Sequence, residues 1–483
     1  MRSNRFQRCL NFCQQKLAHR CWLLSIKYSA IALTFSLIIV ACNGDSQLNQ
    51  TSVSNSQPPS DLLTIWWNKG YLLEEDEALQ KIVRDWEKIS GKQVKLFFET
   101  EDELPQKSAR ALTTGNLPDL LFSTRAEYEL IPRLAWEGKL TNLAKVIAPV
   151  ENLYSPAVLE SVYLYNQKEK QRSYYAVPIY QATIYIHYWQ DLIEKIGKNV
   201  NDIPQDWTGF WQFWENVQEE LRSEQNSDIY SLGITLSDKA SDSYYFFEQV
   251  LEAYNVEIVD REGNLQVDKP EVQSGISQSL DWITALYKQG YIPPNAPQWL
   301  NPDNNFNMLN RKVVMTPNPT LSIPAAQRED EEVYYNQLGT LEFPNKPNGE
   351  PMRYIVSVRQ AVVFRESKNQ EAAQEFLAYL VQPETLTAYL KAATGRYFPV
   401  MTPAWEDEFW HDRRDRHIAI ATKMLTERPT RPLYYTRNPA YTQVLEEHIW
   451  GKAINRILID DLSPEEATQE AIARIEEIFE QWE

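Results

Sequence analysis

The five histidines, at positions 19, 187, 411, 417 and 448, are the first candidates for metal or acid–base chemistry, and none stands at metal-ligand spacing from another. His411 and His417 close the run "HDRRDRH", which reads as a solvated helix face. No Gly-x-Ser-x-Gly elbow and no phosphate-binding loop occurs. With 66 Asp and Glu, carboxylate pairs are too common to mark a site, and the acidic run Glu74–Glu77 reads as a helix start answering the helix dipole. The four cysteines lie at 9, 13, 21 and 42, with none beyond. What stands out instead is 15 Trp and 26 Tyr: flat rings that build a core and also pack on flat, partly apolar ligands. The chemistry this favours is non-covalent recognition, without a cofactor or a metal.

The N-terminus explains the cysteines. Residues 1–41 carry Arg2, Arg5, Arg8, Lys16, Arg20 and Lys27 and no acid, and Tyr28–Val40 is an apolar run. That run is shorter than the about 20 residues of a membrane span and suits a signal-peptide core. Ile39-Val40-Ala41-Cys42 resembles the bacterial lipobox, which implies cleavage after Ala41 and lipid on Cys42. The alternative is a single N-terminal anchor helix with an incidental cysteine. Asn43–Asp61, rich in Ser, Asn, Gln and Pro, reads as a tether. The body beyond it has no thiol, so disulfides and cysteine catalysis drop out. Removing those six positive charges takes the net charge from −18 to −24. So acidic a body repels nucleic acid and anionic membrane surfaces.

At 483 residues two lobes are expected. Leu62–Trp67 reads as a strand, Glu75–Ser90 as an amphipathic helix stopped by Gly91, and Val94–Phe98 as a second strand; a helix to Leu112 and strand Leu120–Phe122 follow. This alternation predicts a parallel sheet covered by helices on both faces. Further strands are expected at Ala176–Tyr180 and Lys312–Met315, and further helices over "IPQDWTGFWQFWENV" and Asn369–Val381. The Trp211/Trp214 stripe reads as core. Ser463-Pro464-Glu465-Glu466 signals the capped start of a last helix with stripe Ala467, Ala471, Ile475, Ile478 and Trp482.

In this order, "LTIWW", "ARALTTGNLPDLLFS", "EGKLTNL", "YAVPIYQATIYIHYWQDLIEKIG", "FNMLNRKVVMTPNP" and "LSPEEATQEAIARIEEI" resemble the extracellular solute-binding proteins of family 1, the maltose-binding-protein-like group that serves ABC importers. The resemblance implies an α/β fold of two lobes joined by crossovers near Val177–Gln181, near Tyr354–Ser357 and after Trp405, with a ligand cleft between them. The implied division is 1–41 signal peptide, 42–61 tether, 62–178 with 357–405 as first lobe, and 179–356 with 406–483 as second. Two departures from the family pattern stand out: Asn310 before Arg311, where a glycine is usual, and Arg359 in a stretch that is usually small.

A carbohydrate would need rings for its C–H faces and forked polar groups for its hydroxyls. At strand ends and crossovers the candidates are Trp67 or Asn68, Arg125 and Glu127, Tyr180 and Gln181, Tyr244 in a polar-aromatic loop with Asp242, Asn318, Arg359, Arg396 with Tyr397, and Tyr434 or Tyr435 in the loop 431–441. The resemblance thus implies a lipid-anchored, exported monomer, held at the outer face of the cytoplasmic membrane or in the periplasm. It would capture a carbohydrate and pass it to an ABC permease, with no nucleic-acid partner and no catalysis. An extracytoplasmic glycosidase, a surface carbohydrate sensor and a binder of phosphorylated polyols are the other readings.

Overall fold

The computed structural model describes residues 62–70, 72–100, 103–225 and 228–482. Cys42, the apolar run before it and the tether after it lie outside the described residues.

The expected alternation is present. β1 (Leu62–Asn68) pairs in parallel with β2 (Gln93–Glu99) and with β3 (Leu120–Phe122), with helices Leu73–Ser90 and Glu103–Thr114 as the crossovers. β4 (Tyr163–Asn166) and β5 (Gln171–Tyr174) form a separate hairpin. β6 (Val177–Ala182) returns to the first sheet, and the next strand, β7 (Tyr185–Trp189), already belongs to another. That second sheet contains β7, β8 (Tyr230–Leu232), β9 (Val313–Asn318) and β10 (Leu338–Leu341) in the order β10-β7-β9-β8. β11 (Tyr354–Val363) brings the chain back. It pairs with β12 (Thr430–Pro432) at its start, with β6 in its middle and with β3 at its end. The chain therefore passes between the two sheets beside one long strand.

Helices cover both faces of the first sheet, and this settles the fate of the Trp66-Trp67 pair. Alternation sends Trp67 to one face with Ile65 and Phe122, and Trp66 to the other with Leu104 and Leu121, so both are buried. On helix Trp207–Gln225, Trp207, Phe210, Trp211 and Trp214 are buried core, as expected. The last helix starts as its sequence signals: the Ser463 hydroxyl accepts from the Glu466 N–H at 3.2 Å, and the Glu466 carboxylate accepts from the Ser463 N–H at 2.9 Å.

Three expectations fail for want of long-range contacts. Asp242–Tyr245 is the first turn of helix Ser241–Ala253 and not a loop. His417 is fully buried on helix Arg416–Glu427 and not on a solvated face. Tyr434 and Tyr435 form a buried 3-10 turn with Thr436. At the unusual Asn310-Arg311, Arg311 adopts φ +55°, a left-handed conformation that a glycine takes without strain. The arginine is held there by Asp191 at 2.9 Å, Gln337 at 2.6 Å and the Trp189 ring at 3.8 Å.

Candidate functional site

β1 ends at Asn68, beside the loop that leaves β3. The Asn68 Oδ1 accepts from the Thr124 backbone N–H at 2.6 Å and from the Thr124 hydroxyl at 3.1 Å. With that oxygen doubly used, the amide orientation is fixed and Nδ2 must be a donor. Nδ2 is buried and has no partner among the described residues. Asn68 lines a small cavity of about 230 Å³, together with Glu75, Thr124, Tyr180, Tyr389 and Arg396. Beneath it runs an aromatic column. Tyr180 stacks on Tyr397 at 3.9 Å, Trp67 stacks on Phe122 at 4.1 Å, and the Trp67 indole N–H donates to the Tyr389 hydroxyl at 3.1 Å.

The acidic run at the helix start does more than answer a dipole. Glu75 and Asp76 are buried; Asp76 accepts from the Gly70 N–H at 2.7 Å, and Glu75 lies 3.7 Å from the Arg396 guanidinium. A side chain at residue 70 would put its Cβ 2.6 Å from that of Glu75, so only glycine fits this turn. Burial raises the pKa of Asp76 against the pull of the Gly70 amide.

A larger cavity of about 1000 Å³ adjoins the first and shares Thr124, Arg396 and Tyr397 with it. The first sheet contributes Arg125 and Tyr128 after β3 and Arg359 from β11. The second contributes Asn318 at the end of β9 and Thr320 just after it, with Asp242, Tyr244 and Tyr245 from the start of helix Ser241–Ala253. Asn318 shapes its own loop: its Oδ1 accepts from the Thr320 N–H at 3.0 Å, and its Nδ2 donates to the Asn305 side-chain oxygen at 2.5 Å. His448, in a left-handed turn with φ +52°, adds a half-buried imidazole whose pKa burial lowers.

Each arginine on these walls arrives with a protein carboxylate. Arg125 donates to Glu129 at 2.8 Å, Arg133 lies 3.7 Å from Glu137, Arg396 lies 3.7 Å from Glu75, and Arg359 is paired with the fully buried Glu127. Such a wall offers many N–H donors but little net charge. Among the described residues, no group of three or more His, Cys, Asp or Glu could hold a metal ion.

Of the residues anticipated from sequence, Asn68, Arg125, Tyr180, Tyr244, Asn318, Arg359, Arg396 and Tyr397 line the two cavities. Trp67 does not: its ring is buried against Phe122 and Tyr389. Gln181 does not either: it is paired through its backbone with Phe398, and its side chain donates to the Pro399 carbonyl at 2.7 Å. Glu127 stands behind Arg359, away from the cavity surface, and Tyr435 is 1% exposed within the core. Sequence reasoning missed Glu75, Tyr128, Tyr389 and His448 as cavity residues. Only Glu75 had a signal, an acid more than the first turn of its helix needs.

Two sheets linked where β6 runs into β7 and where β10 runs on to β11, with a polar-aromatic cavity between their loops, define the two-lobed fold of solute-binding proteins. The chain belongs to the bacterial extracellular solute-binding proteins, whose family pattern matches residues 81–417. A "Multiple sugar-binding protein" of Streptococcus mutans is 20% identical over 383 residues, covering 76% of this chain and 81% of that protein. An ABC transporter solute-binding protein from Thermotoga lettingae, solved with alpha-D-tagatose, superposes with a TM-score of 0.68 at 21% identity, covering 86% of this chain and 99% of its own. Maltose-bound MalE3 of T. maritima gives 0.64 at 17% identity, covering 86% and 99%. The family places the protein outside the cytoplasm. Among the described residues no helix is long and apolar enough to cross a membrane.

Proposed function

We propose that this protein captures a neutral carbohydrate, larger than a single sugar ring, in the paired cavities and delivers it to an ABC importer permease. Cys42 would carry the lipid that keeps it at the membrane. Residues 62–178 with 357–405 would form one lobe and 179–356 with 406–483 the other, closing over the ligand as a monomer, with no reaction step. The observation that carries the reading is that each wall arginine has a protein carboxylate beside it, Glu137 being shared between Arg133 and Lys139. A phosphorylated or acidic sugar would meet no uncompensated arginine, whereas hydroxyls can both accept from guanidiniums and donate to carboxylates. The stacked Tyr180–Tyr397 pair beside the small cavity suits the apolar face of a sugar ring. The larger cavity alone, about 1000 Å³, lies at the upper end of ordinary ligand sites, which span about 300–1,000 Å³. The curated relative and the structural neighbours named above bind sugars by their own descriptions.

Calorimetric titration of the full chain in detergent tests this, with maltose, maltotriose, cellobiose and D-tagatose set against glucose 6-phosphate and sorbitol 6-phosphate. At least one neutral sugar is expected to bind, and more tightly than either phosphate. Tighter binding of a phosphate would overturn the reading. Asn68→Ala removes the unmet amide donor and is expected to weaken the bound sugar by about tenfold, the worth of one well-placed hydrogen bond in a buried site.

A further inference from the structure

Arg359 lies where the β6–β11 ladder slips register, between Arg359 and Gln360. The irregularity lies on β6, and alternation along β11 sends the two side chains to opposite faces. Gln360 turns inward and donates to the Ser161 carbonyl at 3.1 Å, while Arg359 lines the large cavity with 12% of its side chain exposed. The guanidinium is held from behind. Its Nη1 donates to the Ser357 hydroxyl oxygen and to the Glu127 carboxylate, and the Ser357 hydroxyl in turn donates to Glu127 Oε1. The Tyr245 hydroxyl reaches the same carboxylate oxygen at 3.3 Å. Glu127, from the segment after β3, thus gathers groups from β11 and from the helix on the far side of the cavity. Tyr245 continues to Tyr244 at 4.5 Å and Tyr244 to Tyr128 at 6.0 Å, so a cluster of rings lies beside the held guanidinium.

A guanidinium fixed in its plane presents parallel N–H donors at a set spacing, which a lysine ammonium cannot do. We propose that Arg359 is the specificity-determining residue of the cavity. Its fork donates to two adjacent hydroxyl oxygens of one sugar ring and so reads their relative configuration, while Glu127 acts as a positioning residue that fixes the fork and cancels its charge. The proposal rests on the neutral-carbohydrate reading above.

The test uses C4-epimer pairs, cellobiose with lactose, D-fructose with D-tagatose and D-glucose with D-galactose, titrated into the full chain. For the pair that the wild type binds, it is expected to separate the epimers by about tenfold or more, since a site built around hydroxyl pairing rejects the misplaced hydroxyl. Arg359→Lys keeps the charge and is expected to narrow that ratio to about twofold or less while the melting temperature holds. Glu127→Gln, which loosens the fork, is expected to narrow it as well. Should Arg359→Lys melt early, the double variant Glu127→Gln/Arg359→Gln leaves no buried unpaired charge and gives the same readout. A wild-type ratio retained in the folded variants overturns the assignment of Arg359 and leaves the carbohydrate reading intact. Epimers bound equally by the wild type overturn it too. Failure of the wild type to bind any of these sugars overturns the assignment of Arg359, and failure to bind maltose and maltotriose as well overturns both.

Discussion

Glu252→Ala is expected to destabilise the protein by about 3–5 kcal/mol, the cost of stranding buried cations. Glu252 is 1% exposed near the end of helix Ser241–Ala253. Its Oε1 accepts from Lys346 and from Arg353 Nε, each at 2.9 Å; its Oε2 accepts from Arg353 Nη2 at 2.8 Å and Arg431 Nε at 2.9 Å. Burial alone would push its pKa up, but Arg431, Arg353 and Lys346 overcome that and hold it at about 2. A folded pKa below the unfolded one means the contribution is complete above about pH 4.5 and is lost only as pH falls toward 2. Removing the carboxylate leaves Lys346 and Arg431 buried beside no counter-ion of equal reach. Thermal unfolding at pH 7 measures the loss, and a wild-type melting curve for Glu252→Ala would contradict it. Glu248, one turn earlier, provides the contrast. Burial pushes its pKa up to about 7 against the pull of Arg431, so Glu248→Gln is expected to leave stability at pH 7 unchanged or raised.

Acidification from pH 7 to 4.5 is expected to cost about 5 kcal/mol through two histidines and return about half of that through Glu248. His187 and His417 are both fully buried, and both Nδ1 atoms face the Thr340 hydroxyl, at 2.9 and 2.7 Å. Their Nε2 atoms face the backbone carbonyls of Thr320 and Tyr334, at 3.2 and 2.9 Å, so each Nε2 carries its proton. Burial is the main cause that holds His187 down at about 3 and His417 at about 4. Asp415, which favours a charged His417, is set against Arg416 and Arg328. Depressed folded values mean stability is whole above the unfolded pKa of about 6.5 and drains as pH falls toward 4. Glu248, with a raised value, gains stability over the same interval. The two titrations separate by mutation. Glu248→Gln should steepen the loss of melting temperature between pH 7 and 4.5, and His187→Gln/His417→Gln should abolish or reverse it. Equal slopes in wild type and both variants would refute the assignment. The network reaches the ligand cavity, since the carbonyl that His187 holds belongs to Thr320 on its wall.

The first sheet was legible because period-2 runs and amphipathic helices alternate without interruption from Leu62 to Phe122. Strand ends could therefore be placed, and with them Asn68 and Arg125. What local pattern could not supply was the state of the opposite face. Every residue from Ser243 to Ala253 is buried, Glu248, Gln249 and Glu252 included, so no exposed face marks this helix and its opening turn, Asp242–Tyr245, reads as a polar-aromatic loop. Gln181 is polar and stands at a crossover, but its partner Pro399 lies 218 residues away along the chain. His417 sits in a charged run, but β10 and the turn at Tyr334 close over it. Sequence signals burial by apolar type, and each of these is a polar or aromatic side chain buried through a partner that only the fold supplies.

The compensated arginines also govern how fast a ligand arrives. The range of an exposed charge shrinks from about 30 Å at 0.01 M salt to about 3 Å at 1 M. A wall whose guanidiniums are each matched by a carboxylate casts no long field for salt to screen, and a neutral sugar would not feel one. Encounter with the cleft would then be set by diffusion and by the opening of the lobes, with no electrostatic steering to lose. A chain of net charge −18 would collect such a solute as quickly in brine as in fresh water.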